Sequence, residues 1–210
     1  MTHSMSTVTA LPDRSRVTGS ARAPDLPAAR KAAFAFMKAL GVDPDDASRP
    51  DLADTPARLA AAYAELLAVD DFDFTTFANA EDYDELVLVR GIPFQSVCEH
   101  HLLPFVGVAH VGYLPADRIV GLSKLARTVS HYARRPQTQE RLTMQVAGLL
   151  EDRLRPRGVG VVLTAEHTCM TLRGAQAPGS ATTTSSLRGH LRHEPAARAE
   201  FLSLARPGAR

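Results

Sequence analysis

The 210-residue chain contains only two cysteines, no tryptophan and no long apolar run. Two cysteines are too few for a small secreted disulfide scaffold, and no basic-then-apolar signal segment opens the sequence, so we expect a reduced, cytoplasmic protein. No apolar stretch reaches the roughly 18 residues of a transmembrane helix, so no membrane partner is expected. The net charge of +1 is well below the basic excess typical of non-specific nucleic-acid binding, so no nucleic-acid partner is expected. A local cationic pocket is still compatible with this charge.

The chain does contain one cluster of metal-binding side chains. Cys98 and His101 have a Cys-x-x-His spacing, which lets a tight turn direct a sulfur and a nitrogen to one point, as zinc prefers. The second cysteine, Cys169, would complete a Cys₂His set with one open position, the composition of a catalytic zinc site. His100 and His167 would then stand beside the metal as uncommitted bases. A Cys-x-x-His pair alone is a weak signal, because a buried free cysteine is usually a small apolar residue.

Composition and periodicity divide the sequence into three segments. Residues 1–26 are rich in Ser, Thr, Ala, Arg and Pro without an apolar period, which predicts a disordered tail. Residues 27–70 carry two helical patterns and form a predicted helical extension, with Thr55 as the N-cap of its second helix. Residues 71–210 hold the remaining elements and are predicted to be the main domain.

Beyond residue 85 the predicted strands and helices do not alternate. We predict strands over residues 85–97 and 105–114, helices over 124–133 and 138–154, strands over 158–165 and 180–187, and a last helix over 195–204. Gly91 and Pro93 predict a bulge or an edge strand. Because side chains alternate along an extended segment, we expect His167 and Cys169 to point to the same side. His110 is interpreted as structural. The order excludes a Rossmann domain and indicates an α+β fold with an antiparallel sheet.

From about residue 54 to residue 204 the sequence resembles the GTP cyclohydrolase I family. The matching blocks are residues 54–58, 98–101, 121–127, 135–143, 167–170, 173–174 and 180–184. The resemblance implies a tunnelling fold (T-fold) of ββααββ subunits for the main domain. It also implies a homodecamer of two stacked pentamers, with active sites at the subunit boundaries. An antiparallel sheet with open edges independently favours such partners.

The resemblance implies hydrolysis of carbon 8 of GTP as formate, followed by closure to 7,8-dihydroneopterin triphosphate. Zn²⁺ held by the two cysteines and His101 would lower the pKa of bound water to about 7. His100 matches the family residue that protonates the imidazole part of guanine, and His167 matches a second histidine for later proton transfers. Ser123, which the sequence also predicts as a helix N-cap, matches a serine near the ribose.

Substrate recognition is implied in the same way. Glu140 matches the family carboxylate that takes the two adjacent donors of guanine, a pair that adenine does not offer, and Gln139 stands beside it. The family contacts to triphosphate match four cations, which are Arg58, Lys124, Arg127 and Arg173. The family often has another basic residue one turn after Arg58, where this chain has Ala61.

Four other interpretations stay open. A structural zinc module would need four closed ligands, and three are well placed. A nucleoside deaminase would show His-x-Glu and Pro-Cys-x-x-Cys patterns, which are absent from the sequence. A catalytically inactive scaffold subunit should have lost a ligand or a base. A related T-fold enzyme for another pterin or deazapurine would share the Gln139–Glu140 pair. The three metal ligands are therefore the feature that distinguishes it from a GTP cyclohydrolase I.

Overall fold

The computed structural model describes residues 16–19 and 23–206. The strands in these residues are β1 Arg16–Val17, β2 Phe72–Asp73, β3 Thr76–Ala78, β4 Val87–Cys98, β5 Pro104–Leu114, β6 Arg118–Val120, β7 Pro136–Gln137, β8 Gly158–His167 and β9 Thr182–Gly189. The helices are α1 Leu26–Ala39, α2 Thr55–Leu66, α3 Leu122–Ala133, α4 Gln139–Leu154, α5 Thr168–Thr171, α6 His190–His193 and α7 Pro195–Leu204. Among the described residues, no helix combines the length and apolar character needed to cross a membrane.

The central feature is a five-stranded sheet in the order β7-β4-β5-β8-β9. Adjacent strands of this sheet are antiparallel, except that the two residues of β7 pair in parallel with the end of β4. The chain order β4-β5-α3-α4-β8-β9 is the predicted ββααββ arrangement, so the α+β T-fold is confirmed. Phe105, at the start of β5, lies opposite His167, at the end of β8. The metal-ligand segments therefore meet at one end of the sheet.

Both faces of the sheet are covered. α3 and α4 pack on one face, where Leu125, Leu142 and Leu163 are fully buried. α7 covers the other face through Phe201, which lies in a smaller cluster with Val162. Burial on both faces explains why the residues of β8 read as a nearly continuous apolar run.

The predicted irregularity in the first long strand is a β-bulge. The pairing of β4 with β5 shifts register between Val89 and Ile92, and Gly91 has a φ of +69°. A left-handed backbone there favours glycine. Beyond the bulge the strand regains its register and carries Cys98 to the hairpin tip.

Two residues of the predicted tail, Arg16 and Val17, form a short strand. Residues 1–15 and 20–22 of the predicted disordered segment lie outside the described residues. Arg16–Val17 pair with β2, and Val17 is only 5% exposed within the main core. Disorder therefore does not hold for these two residues, because an apolar side chain there gains burial beside Phe72. α1 begins one residue before the predicted extension, and its N-cap Asp25 accepts a hydrogen bond from the Ala28 amide.

Two predicted helix caps are wrong. The N-cap of α2 is Asp54, with Thr55 as the first helical residue. The N-cap of α3 is Gly121, and Ser123 lies inside the first turn. The reason at α3 is tertiary: the amide of Gly121 donates to the Thr75 carbonyl, continuing the pairing of β3 with β6 into the helix start.

Candidate metal centre and active site

A tight turn between β4 and β5 brings the first two metal-binding side chains together. The amide of Cys98 donates to the carbonyl of Leu103, and the amide of Leu102 donates to the carbonyl of Cys98, each at 2.8 Å. Leu102 closes the turn with a left-handed φ of +54°. Cys98 Sγ consequently lies 3.8 Å from His101 Nδ1.

The third side chain comes from the helical turn α5. β8 ends at His167, and the hydroxyl of Thr168 donates to the carbonyl of Pro104 at 2.5 Å, at the start of β5. The chain then turns into α5, which carries Cys169. The expectation that His167 and Cys169 share an extended segment is therefore wrong, because the Thr168 contact ends the strand between them.

Cys98, His101 and Cys169 form a group able to hold a metal ion. Their ligand atoms all lie within 4.8 Å of one another. Two sulfurs and one imidazole nitrogen suit a borderline-soft divalent ion, and the exposure of His101 leaves a side open to solvent. Burial, together with the adjacent Cys98, raises the pKa of the Cys169 thiol. A bound cation would oppose that effect by stabilising the thiolate.

His100 projects from the same turn on its exposed side. Its Nδ1 lies 3.9 Å from Cys98 Sγ, almost as near as that of His101, but His101 is the one that forms the three-residue group with Cys169. His100 Nε2 lies 3.8 Å from a carboxylate oxygen of Glu99. The other oxygen of Glu99 pairs with the guanidinium of Arg141, in the first turn of α4. Both contacts of the His100 ring are long and its side chain is 66% exposed, so His100 can approach a ligand while Arg141 anchors Glu99.

His167 is the more enclosed of the two histidine bases. Its ring stacks on Phe105 at a centroid distance of 4.3 Å and an interplanar angle of 8°. Its Nε2 lies 2.8 Å from the side-chain oxygen of Gln139. Burial lowers the pKa of His167, and the charge of nearby Glu140 opposes this in part. The ring is therefore expected to be largely neutral near pH 7.

The predicted guanine residues sit at the start of α4, beside His167. Glu140 is exposed and free to meet a ligand. Gln139 is only 2% exposed, and both ends of its amide bond to protein groups. Although Gln139 and Glu140 are adjacent in sequence, Glu140 is therefore accessible to a ligand and the Gln139 amide is occupied by protein contacts.

Ser123, Lys124 and Arg127 lie in the first half of α3, before the end of the helix that is near the metal ligands. Ala133, at that end, accepts a hydrogen bond from the Ser96 hydroxyl, beside the metal ligands. At 1.5 Å per residue, the ten residues from Ser123 to Ala133 span about 15 Å. The start of α3, with Ser123 and Lys124, therefore lies away from the metal group of the same chain, whereas Arg127 lies about halfway along the helix.

The other two predicted cations, Arg173 and Arg58, have different surroundings. Arg173 is exposed shortly after α5, and its charge acts on the nearby Cys169 thiol. Arg58 is exposed on α2 and forms an ion pair of 3.3 Å with Asp54. Among the four predicted phosphate contacts, Arg173 is the cation whose charge acts on the Cys169 thiol.

Three side chains at the site were not predicted to act there. Tyr63 is assigned from its spacing to the apolar stripe of α2, but its hydroxyl reaches the metal turn. Phe105 reads only as the first residue of a strand. Arg141 pairs with Glu99 across 42 positions of sequence. No local pattern reports contacts at such separations.

A candidate Cys₂His metal centre flanked by histidines, on a T-fold sheet, defines a class of metal-binding enzymes. Residues 29–206 match the family model described as GTP cyclohydrolase I. The chain therefore belongs to the GTP cyclohydrolase I family and is an enzyme of this type, which confirms the resemblance.

Curated relatives agree over most of the chain. A GTP cyclohydrolase 1 from Rhodopirellula baltica is 54% identical over 172 residues, covering 80% of this chain and 74% of the relative. A GTP cyclohydrolase 1 from Mycobacterium ulcerans is 51% identical over 202 residues, covering 94% of this chain and 98% of the relative. A solved structure of the archaeosine synthase QueF-Like in the apo form is similar at a TM-score of 0.42 and 17% identity, over 50% of this chain and 93% of that chain.

Proposed function

We propose that this enzyme is a zinc-dependent GTP cyclohydrolase I. It hydrolyses carbon 8 out of the guanine ring of GTP as formate and forms 7,8-dihydroneopterin triphosphate, the first step of tetrahydrofolate and pterin biosynthesis. The observation that carries the proposal is the convergence of the Cys98, His101 and Cys169 ligand atoms within 4.8 Å in a chain of this family.

The donor set fits zinc. Cys₂His with one open position is a ligand set of catalytic zinc, and the open side faces solvent. The two cysteines and His101 would hold the ion, and the turn hydrogen bonds at Cys98 keep two of these ligands in register. A bound zinc would supply water acidified to a pKa of about 7, a nucleophile suited to a poorly electrophilic ring carbon.

Two histidines divide the proton transfers. His100 is exposed beside the metal group and donates a proton to the imidazole part of guanine as water adds. His167, held against Phe105, serves the later transfers of ring and ribose opening. Glu140 accepts the two adjacent donors of guanine from the start of α4, which selects against adenine.

A neighbouring subunit completes the site. Lys124 and Arg127 share one face in the first half of α3, whose N-terminus also favours anions. By helix rise they lie about 13 Å and about 9 Å before Ala133, at the end of α3 near their own metal group. Cations from a second chain therefore bind the triphosphate, with Ser123 near the ribose. β9 ends the sheet with an open edge, and β4 is paired on its outer side by two residues, so both edges can accept a neighbour. We propose a cytoplasmic homodecamer built as a dimer of pentamers.

The first experiment measures turnover by metal-stripped, zinc-reloaded full-length protein. With GTP we expect formate and a pterin in equimolar amounts, the pterin being measured by its fluorescence after oxidation. ATP should give neither. A folded, zinc-loaded protein that releases no formate from GTP would refute the proposal.

A subunit-mixing experiment tests the shared site. His100→Ala and Lys124→Met are each expected to be inactive or strongly impaired alone. Hybrid assemblies refolded from both should regain activity, because some sites then combine an intact metal group with an intact cation group. The matched control mixes His100→Ala with His167→Ala, whose defects lie in the same group and should not complement. Equal behaviour of the two mixtures would mean that one chain supplies the whole site.

A further inference from the structure

Gln139 is a buried amide whose contacts determine how the ring of His167 is protonated. We infer that Gln139 is a positioning residue that fixes the tautomer of His167, with the hydrogen on Nε2 and the lone pair on Nδ1. The inference rests on the proposed function in one respect, since it takes His167 to act on the substrate. It assigns Gln139 a role other than the ring contact expected from the sequence.

The orientation of the Gln139 amide follows from its surroundings. Its nitrogen lies 2.9 Å from the carbonyl oxygen of Thr182 and 3.1 Å from that of Leu163. A carbonyl oxygen only accepts, so the NH₂ end must face these two groups. The reversed amide would place its own acceptor oxygen against these two carbonyl oxygens, with no hydrogen between them.

A second layer of hydrogen bonds holds this orientation. The Gln139 nitrogen also lies 3.2 Å from the Thr184 hydroxyl, and the Thr143 hydroxyl donates to the Gln139 backbone carbonyl at 2.7 Å. The two threonine hydroxyls lie 2.7 Å apart, so Thr184 can donate to Thr143 while it accepts from the amide. Every hydrogen in the network then has an acceptor.

The tautomer of His167 follows directly. With the NH₂ end committed, the amide oxygen is the atom that lies 2.8 Å from His167 Nε2. That oxygen only accepts, so Nε2 of the neutral ring must carry the hydrogen and Nδ1 must carry the lone pair. The parallel stack on Phe105 fixes the plane of the ring. His167 therefore accepts a proton through Nδ1, with no rearrangement of the amide.

The kinetic consequence separates positioning from substrate contact. Gln139→Met removes the acceptor at nearly constant volume, so the tautomer is no longer fixed. We expect kcat for pterin formation to fall at least about tenfold, part of the contribution of a positioned base, while KM for GTP changes little. A rise in KM with unchanged kcat would overturn the inference and restore the predicted ring contact.

The structural consequence is measured without substrate. In ¹⁵N-histidine-labelled, zinc-loaded protein, solid-state NMR should show a protonated Nε2 and an unprotonated Nδ1 for His167, assigned by difference from His167→Gln. Gln139→Met should show both tautomers. The control Gln137→Met removes a second buried amide, at 1% exposure, that does not contact His167, and should keep the wild-type pattern. A wild-type ring protonated on Nδ1 would overturn the inference even if a variant fails to fold. Absent turnover of GTP would instead count against the proposed function alone.

Discussion

The phenolic hydroxyl of Tyr63 donates a hydrogen bond of 2.8 Å to the backbone carbonyl of Leu102. Leu102 directly follows the metal ligand His101 and has a left-handed φ of +54°. A non-glycine residue in that region is under strain and persists only where its surroundings hold it. The helical extension therefore supports the metal turn, although the sequence assigns Tyr63 only to an apolar stripe.

Removing this contact should weaken metal binding. Tyr63→Phe keeps the ring and deletes the hydroxyl, so we expect zinc affinity to fall about threefold to tenfold, the value of one neutral hydrogen bond. Competition with a chromogenic chelator measures the affinity directly. Tyr83→Phe, at an exposed tyrosine, is the control. Equal zinc affinity in Tyr63→Phe and the parent protein would show that the turn keeps its shape unaided.

Metal removal should affect stability as well as turnover, because Cys98 is both a candidate ligand and a member of the main core. Stripping with a chelator is expected to abolish formate release and lower the unfolding temperature, and zinc should restore both. An ion at about 1,000 times its dissociation constant stabilises the folded state by about 4 kcal/mol. Cys169→Ala should lose bound zinc and show no such gain, whereas His193→Ala, at an exposed histidine, should keep both. Stoichiometric zinc in Cys169→Ala would contradict the assigned ligand set.

The buried side chain of His110 is expected to contribute to the loss of folding stability in acid. It is 5% exposed in β5, and neither ring nitrogen has a hydrogen-bond partner among the described protein groups. Burial, with a smaller effect of Arg90, lowers the pKa of His110. Below the ordinary histidine value of about 6.5 the unfolded chain then binds more protons than the folded chain, so stability falls as the pH drops from about 7.

The test compares urea midpoints of metal-stripped parent protein and His110→Leu between about pH 7.5 and about pH 5.5. The variant should lose less stability over this interval, because it removes one group that gains a proton on unfolding. Metal stripping removes the separate effect of acid on metal binding. Parallel curves for the two proteins would show that His110 does not contribute.

The space at Gly160, beneath α7, is too small for a larger side chain. A Cβ built there would lie 2.6 Å from the Phe201 ring, which is far closer than atoms pack. Gly160→Ala should therefore cost about 1–3 kcal/mol of unfolding free energy, and adding Phe201→Leu should recover part of it. The matched control is Gly148→Ala in α4, where the nearest atom is 3.9 Å away and alanine gains about 0.5–1 kcal/mol of helix propensity. Urea denaturation measures all three, and equal stability of Gly160→Ala and the parent would contradict the close packing.

The four long strands and the metal turn could be predicted because their signals are local, whereas the short strands β1, β2, β3, β6 and β7 were not predicted. The apolar run of β8 and the Cys-x-x-His spacing each lie within a few residues. The bulge at Gly91 was likewise predicted from its own strand. The predicted N-caps Thr55 and Ser123 were misplaced by one and two residues. At α3 a tertiary hydrogen bond from Gly121 to Thr75 fixes the start, and neither helix has a capping side-chain hydrogen bond.

Contacts across the fold could not be predicted from local patterns. Cys169 was expected to lie in an extended segment with His167, but the Thr168 hydroxyl bonds to a residue 64 positions earlier and the chain turns into α5. Gln139 was identified from its motif, yet its direction depends on carbonyls in β8 and at the start of β9. Position in a motif identifies a side chain, and its neighbours in space decide what the side chain does.

Phe105 belongs at once to the main core and to the site. The edge-on ring of Phe94 lies on one side, the stacked ring of His167 on another, and no part of Phe105 is exposed. We expect natural selection to limit substitutions at this position for two separate reasons, their effect on folding yield and their effect on turnover. A leucine here would preserve much of the core yet leave the histidine without its flat support. Screens that select for thermal stability alone would accept such changes and return robust proteins that work poorly.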